Sequence, residues 1–240
     1  IEERQSNKIT VIEEKINLKK PNLIKFNIPD SIGSLFKDVL KNKYNCKKNK
    51  IKIKFGIVRE EGSNGDREMS AAFYSVGFNV VDITMNDIIN SRENILLKFN
   101  GIAFVGGFSF SDVLGSSLGW SATINMNQDV KEKFQEFYQK SDTFSLGVCN
   151  GCQLMSQIGW IPDVRLVHND SGRFESRCVQ LKILESNCIF TKNMENTIFN
   201  MWSAHGEGKF VLGKEIDVDA NLKISNKLEK QLSPLRYVDD

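Results

Sequence analysis

The residues with the clearest chemical potential lie in the stretch Phe144-Ser145-Leu146-Gly147-Val148-Cys149-Asn150-Gly151-Cys152-Gln153. A short apolar run leads into Gly147-x-Cys149-x-Gly151 and a helical pattern follows. This is the form of a nucleophile elbow with cysteine in the nucleophile's place. A nucleophile on so sharp a turn leaves no room for a Cβ on either side, which is what the two glycines supply. The helix N-terminus behind the cysteine is expected to stabilise a thiolate, and its free N–H groups to receive an oxyanion. The N–H of Asn150, the residue after the nucleophile, is the expected donor.

Two other chemistries fit the same residues. Cys149 and Cys152 form a Cys-x-x-Cys, as in redox sites between a strand and a helix, although flanking glycines suit an elbow better. A zinc half-site is the second, but no further Cys/His pair follows at ligand spacing, so no metal is expected. Cys152 reads as a packed small residue. The chain has two histidines, His168 and His205. The pair His205-Gly206-Glu207 has the spacing of a base and its orienter. In a strand both side chains would share a face, yet Gly206 and Gly208 point to a turn.

The elements that must position these residues follow from the pattern after Ile51. Strands are predicted at Ile51–Val58, Asn79–Thr84, Gly101–Val105 and Phe144–Val148, and helices at Asp66–Val76, Asp129–Gln139 and Asn150–Ile158. In the first helix Met69, Ala72, Phe73 and Val76 have helical spacing; in the second, Val130, Phe134 and Tyr138 do. Strands alternating with helices, the strands continuously apolar, predict an α/β fold with a doubly wound, mostly parallel sheet and helices on both faces. Ligands bind such sheets at the carboxyl ends of the strands. Three polar or glycine-rich segments fall there: Glu60–Gly65, Gly106–Ser109 and Cys149–Gly151. After Ile161 the strands Arg177–Leu184, Thr197–Trp202 and Lys209–Leu212 have no helices between them, and an antiparallel extension is expected. In residues 1–50, Ile9, Val11 and Ile12 suggest a short strand and Ser31–Leu40 a short helix. The Lys-rich run Asn42–Lys54 marks the boundary.

Composition narrows the class. Hydrophobic residues make up 40% and charged residues 26% of 240, enough for a real core. Apolar runs such as Ile102–Val105 fall far short of the ~18 residues of a membrane span, and no membrane partner is expected. Residues 1–54 carry 14 Lys+Arg against 6 Asp+Glu, a net of +8, while the other 186 residues hold 18 against 24, a net of −6. The basic excess thus belongs to a flank without interleaved aromatics, and no specific nucleic-acid partner is expected. Five cysteines without a dense framework favour a reducing compartment, and the cytoplasm is the expected location. A first residue that is Ile suggests a fragment or a processed chain.

Gly147–Gln153 resembles the glutaminase elbow of class I (triad) glutamine amidotransferases, whose domain is flavodoxin-like. More narrowly, the chain is similar to the amidotransferase domain of the phosphoribosylformylglycinamidine synthase family in its long fused form. The further motifs are Arg59–Met69 (REEGSNGDREM), Val105–Gly115 (VGGFSFSDVLG), Asn169–Arg177 (NDSGRFESR) and Trp202–Gly208 (WSAHGEG).

The resemblance implies that Cys149 attacks the side-chain amide of glutamine, giving a thioester and ammonia. The ammonia would pass to a synthetase portion that uses ATP and Mg²⁺ to convert formylglycinamide ribonucleotide to formylglycinamidine ribonucleotide in purine synthesis. The amidotransferase domain itself would need no cofactor. Gly106, Gly107 and Asn150 would form the oxyanion hole. Gln153, Phe108, Asn169, Arg173, Phe174 and Glu175 would bind glutamine, with His205, Glu207 and Asn64 lining the site. The family's base and orienter lie in a later Met-Pro-His-Pro-Glu-Arg stretch that these 240 residues do not contain. The amidotransferase domain is therefore expected over 51–240 without its C-terminal end, and 1–50 as a linker from a preceding synthetase portion. The alternative is a catalytically incomplete docking or structural module. Plain structural readings also stand: Gly106-Gly107 as an ordinary turn, Arg67 and Asp112 as helix-surface charges, Arg173 and Glu175 as an ion pair.

Overall fold

The computed structural model describes residues 53–212 and 233–238, together with Ile9, Ile12, Ile16 and Asn27. The chain divides into two compact units, one of Lys37–Arg165 and one of Ile1–Phe36 with Leu166–Asp240.

In the first unit, strands β1 (Lys54–Arg59), β2 (Asn79–Thr84), β3 (Gly101–Phe104) and β4 (Phe144–Gly147) form one parallel sheet in the order β2-β1-β3-β4. This is the flavodoxin-like doubly wound order, and its switch point lies between β1 and β3. The two central strands are apolar on both faces because both faces are covered. Phe55, Ile57, Ala103 and Val105 enter one core with Phe73 of helix α1 (Asp66–Ser75), whose ring stacks on Phe55 at 3.7 Å. Val58, Ile102 and Phe104 enter the other, under α2 (Met85–Asn90), α3 (Leu118–Asn125), α4 (Gln128–Gln139) and α5 (Asn150–Gln157).

Local chemistry sets where these helices start. Thr84 and Asp87 form a capping box at α2: the Asp87 N–H donates to Thr84 Oγ1 at 3.2 Å, and the Thr84 N–H to Asp87 Oδ2 at 2.8 Å. The Asn127 side chain caps α4 by accepting from the Val130 N–H at 3.3 Å. The sequence pattern did not predict α2 or α3. In α4 the buried face is Val130, Phe134 and Phe137; the expected Tyr138 is half-exposed and stacks on Trp160 at 5.0 Å. In α1 only Phe73 is buried, and Val76 is an exposed cap residue.

In the second unit, β6 (Glu175–Ile183) is the centre of an antiparallel sheet ordered β7-β6-β9, with β7 (Ile198–His205) and β9 (Leu235–Tyr237). The β6–β7 ladder runs from Glu175 opposite His205 to Lys182 opposite Ile198. A second ladder joins β5 (Val164–Val167) and β8 (Lys209–Leu212). The antiparallel strands are therefore present as predicted, but they pair into sheets of their own rather than adding to the edge of the parallel one. Within the segment read as a flank, Asn27 pairs with Ile198, donating to its carbonyl at 3.3 Å and accepting from its N–H at 2.8 Å. Ile9 and Ile12 are helical, as is Ile16, and not part of a strand. Their spacing of three and four residues is that of one helix face. The helix predicted at Ser31–Leu40 lies outside the described residues.

Candidate active site

The elbow is built where β4 ends. The Val148 N–H donates to the Phe104 carbonyl at 3.1 Å, and Cys149 follows with φ 51° and ψ −109°. The backbone then enters α5 at once, with the Cys149 carbonyl accepting from the N–H groups of Cys152 at 2.9 Å and Gln153 at 3.1 Å. A Cβ on Gly147 would stand 2.6 Å from the Gly151 carbonyl oxygen and 2.8 Å from the Cys152 nitrogen. A Cβ on Gly151 would run into the Phe104 carbonyl. Both glycines are thus required by contact, as the spacing predicts.

The loops after β1 and β3 are fastened to each other beside this turn. The Asn64 N–H donates to the Gly106 carbonyl at 2.7 Å, Phe108 N–H to Gly62 at 3.0 Å and Phe110 N–H to Glu61 at 2.9 Å. Gly106 lies against the nucleophile, since a Cβ there would be 3.4 Å from the Cys149 Cβ. The Gly106-Gly107 pair is a strand-end turn, and it is also one wall of the cysteine site.

Burial pushes the Cys149 thiol above its ordinary range, against backbone hydrogen bonds from Asn150 and Gly107, and the nearby Asp112 charge adds to the rise. The cost of burying a charge exceeds what these two backbone donors return to the thiolate. The same two N–H groups are those expected to hold an oxyanion, and both reach the sulfur. Cys152 is pushed up to about 11 by burial and by Cys149. Fast thiol–disulfide exchange needs a low thiol, and both thiols here are raised by burial, which disfavours the redox alternative. Among the described residues no group of three or more His, Cys, Asp or Glu could hold a metal ion.

Asn150 is completely buried, and its side chain is a connector. Its Oδ1 accepts from the Ser109 N–H at 3.3 Å, while Nδ2 donates to Asp112 Oδ1 at 3.2 Å and Gln153 Oε1 at 3.3 Å. Gln153, expected at the substrate, is only 5% exposed. Phe108 is half-exposed. Asp112 also accepts from Ser117 N–H at 3.3 Å and Ser116 Oγ at 3.2 Å. Asp112 is thus an internal acceptor and not a helix-surface charge; the sequence signal for it is the cluster of Ser109, Asp112, Ser116 and Ser117 behind the Gly-Gly turn.

The other expected residues lie in the second unit. Asn169 is their hub: Nδ2 donates to the carbonyls of Arg173 at 3.0 Å and His205 at 2.8 Å, and Oδ1 accepts from the Gly208 N–H at 3.1 Å. With Asn169 Oδ1 so oriented, the His205 Nδ1 at 3.0 Å carries the proton and donates, leaving Nε2 to accept from Ser203 Oγ at 2.8 Å. Both imidazole nitrogens are engaged. Gly206 and Glu207 form a bend, as the glycines predict, and the Glu207 carboxylate lies 3.8 Å from His168 Nδ1. Arg173 Nε is 3.4 Å from Glu175 Oε1, and Arg177 also binds that carboxylate. Burial pushes Glu175 up, but the Ser171 hydroxyl and the two arginines outweigh it and hold the carboxyl below its usual range. Phe174 is half-exposed and packs near Gly206.

Residues 52–240 match the model of a CobB/CobQ-like glutamine amidotransferase domain. The chain is 48% identical over 195 residues to phosphoribosylformylglycinamidine synthase of Dictyostelium discoideum, covering 78% of this chain and 14% of that protein. It is 40% identical over 203 residues to the human protein of the same name, covering 77% of this chain and 15% of that one. The chain thus spans about one seventh of the length of the curated relatives it matches. Among solved structures, PurLQS from Thermotoga maritima superimposes with a TM-score of 0.60 at 22% identity, covering 79% of this chain and 76% of that one, which supports the α/β fold. The match over most of its length, together with a cysteine elbow on a flavodoxin-like sheet, places this chain in the CobB/CobQ-like glutamine amidotransferase family.

Proposed function

We propose that this chain is the glutaminase part of a phosphoribosylformylglycinamidine synthase. The observation that carries the reading is Cys149, held in a strained conformation with the N–H groups of Asn150 and Gly107 both on its sulfur. The sulfur adds to the side-chain amide carbon of glutamine, and those two donors take up the charge that develops on the oxygen. Collapse breaks the C–N bond: the thiol proton leaves with the nitrogen as ammonia, and a γ-glutamyl thioester remains. Water then cleaves the thioester to glutamate and restores the thiol.

A thiol raised by burial needs a base to move its proton. His205 is a poor choice, because Asn169 and Ser203 occupy its ring nitrogens. The reading assigns that role to the later His-x-Glu of the family pattern. Asn169, Arg173, Phe174 and Glu175 are assigned to the amino-acid end of glutamine, an assignment supported by the charged Arg173–Glu175–Arg177 cluster and by the loop that Asn169 fixes. ATP and Mg²⁺ belong, in this reading, to the synthetase portion that consumes the ammonia.

The test is Cys149→Ser in the full-length polypeptide. Glutamine-dependent synthesis should disappear while ammonia-dependent synthesis survives. Equal loss of both, or of neither, would favour the docking-module alternative.

A further inference from the structure

The turn after Gly107 holds three consecutive non-glycine residues in the left-handed region: Phe110, Ser111 and Asp112, with φ of 51°, 56° and 49°. A strained run persists only where its surroundings over-determine it, and such runs gather at functional sites. Here the strain delivers one group inward. The Asp112 carboxylate receives Ser116 Oγ, the Ser117 N–H and the Asn150 side-chain amide. Its charge works against the thiolate of Cys149. A carboxylate that opposes the nucleophile's ionisation and is still held by three donors serves another purpose.

That purpose is visible in Asn150. Its Nδ2 faces two acceptors, Asp112 and Gln153, so its Oδ1 must face the Ser109 N–H. The amide thereby ties the loop that carries Gly107 to the helix start that carries the Asn150 N–H. Ser117 Oγ, from the same segment, holds the Asn150 carbonyl at 2.5 Å. We infer that Asp112 is a positioning residue for the glutaminase reaction proposed above: by fixing the Asn150 amide, it holds the two backbone donors in register beside Cys149. The inference rests on the glutaminase reading, and it concerns transition-state geometry rather than glutamine affinity.

Steady-state glutaminase kinetics of the full-length polypeptide test it. Asp112→Ala should lower kcat by about ten- to a hundredfold with KM changed less than about twofold, because misplaced donors weaken only the transition state. Asp112→Asn keeps an acceptor oxygen in place and should recover most of the loss. Wild-type kcat in Asp112→Ala, a raised KM at unchanged kcat, or an Asp112→Asn variant as slow as Asp112→Ala would each overturn the inference. Folding is read separately by the iodoacetamide rate of Cys152, which is partly buried in the folded domain and has a raised thiol value. Where Asp112→Ala exposes Cys152, Ser116→Ala replaces it: kcat should fall several-fold at constant KM, and an unchanged kcat overturns the inference. A wild-type protein that does not hydrolyse glutamine defeats the glutaminase reading itself, and that outcome is distinct from an active wild type matched by Asp112→Ala.

Discussion

Gly151, in the first turn of α5, lies directly against the Phe104 carbonyl at the end of β3, with no space between them for a side chain. The contact joins the nucleophile's helix to the centre of the parallel sheet. The same carbonyl accepts from Val148 at 3.1 Å, so neither partner is free to move.

Gly151→Ala should therefore destabilise the domain by about 3 kcal/mol, the upper range for overpacking a core. It should also cost more than about tenfold in glutaminase activity, because α5 must shift and take the Asn150 N–H with it. Calorimetry and kinetics on the full-length protein check both. An unchanged melting temperature would mean that the elbow is looser than its contacts indicate.

The two elbow thiols should alkylate differently. Only the thiolate reacts, so a raised thiol value means less reactive sulfur at any pH below it. Burial raises Cys149, so its iodoacetamide rate at pH 8 should fall below that of a cysteine peptide and keep climbing past the ordinary thiol range. Cys152, pushed up to about 11, should lag further. Peptide mapping by mass spectrometry over a pH series reads both. A Cys149 rate that levels off near neutrality would contradict the balance described for this site.

His205→Ala should raise the KM for glutamine by about tenfold and alter kcat by less than about threefold, the pattern of lost substrate binding. The reason is its place under the Asn169 loop, where its Nδ1 donates to Asn169 Oδ1 at 3.0 Å. A kcat as low as that of Cys149→Ala would make His205 the base instead.

Lys133 is a buried charge that works as a staple: Nζ donates to the carbonyls of Ile88 at 3.1 Å and Ser91 at 2.7 Å and to Asp129 at 2.6 Å. Lys133→Met keeps the volume but leaves buried acceptors unsatisfied, and should cost about 2 kcal/mol. Thermal unfolding measures it, with glutamine KM expected to be unchanged.

The amino-acid sequence by itself determined the parallel strands and the elbow, because both are short-range matters. Continuous apolar runs declare a strand covered on both faces, and Gly147-x-Cys149-x-Gly151 declares a turn whose steric demands lie within a few residues. Tertiary structure decided what depends on which surfaces meet. Helix α3, reading LGWSATIN, has mixed propensity and became a helix through the burial of Trp120 and Ile124. Phe137 replaced Tyr138 in the core because a hydroxyl at that position remains at the surface beside the Trp160 carbonyl, 3.3 Å away. The antiparallel strands chose one another rather than the parallel edge, a choice made by pairing across the chain and not by propensity. Burial raises the Cys149 thiol, and one of the two backbone donors that oppose the rise, Gly107, comes from a separate loop. Asp112 and Asn150 stand 38 positions apart. No periodicity links them; only the parallel pairing of β3 with β4 brings their loops to one edge, where a charge that looks like surface in sequence becomes an internal brace.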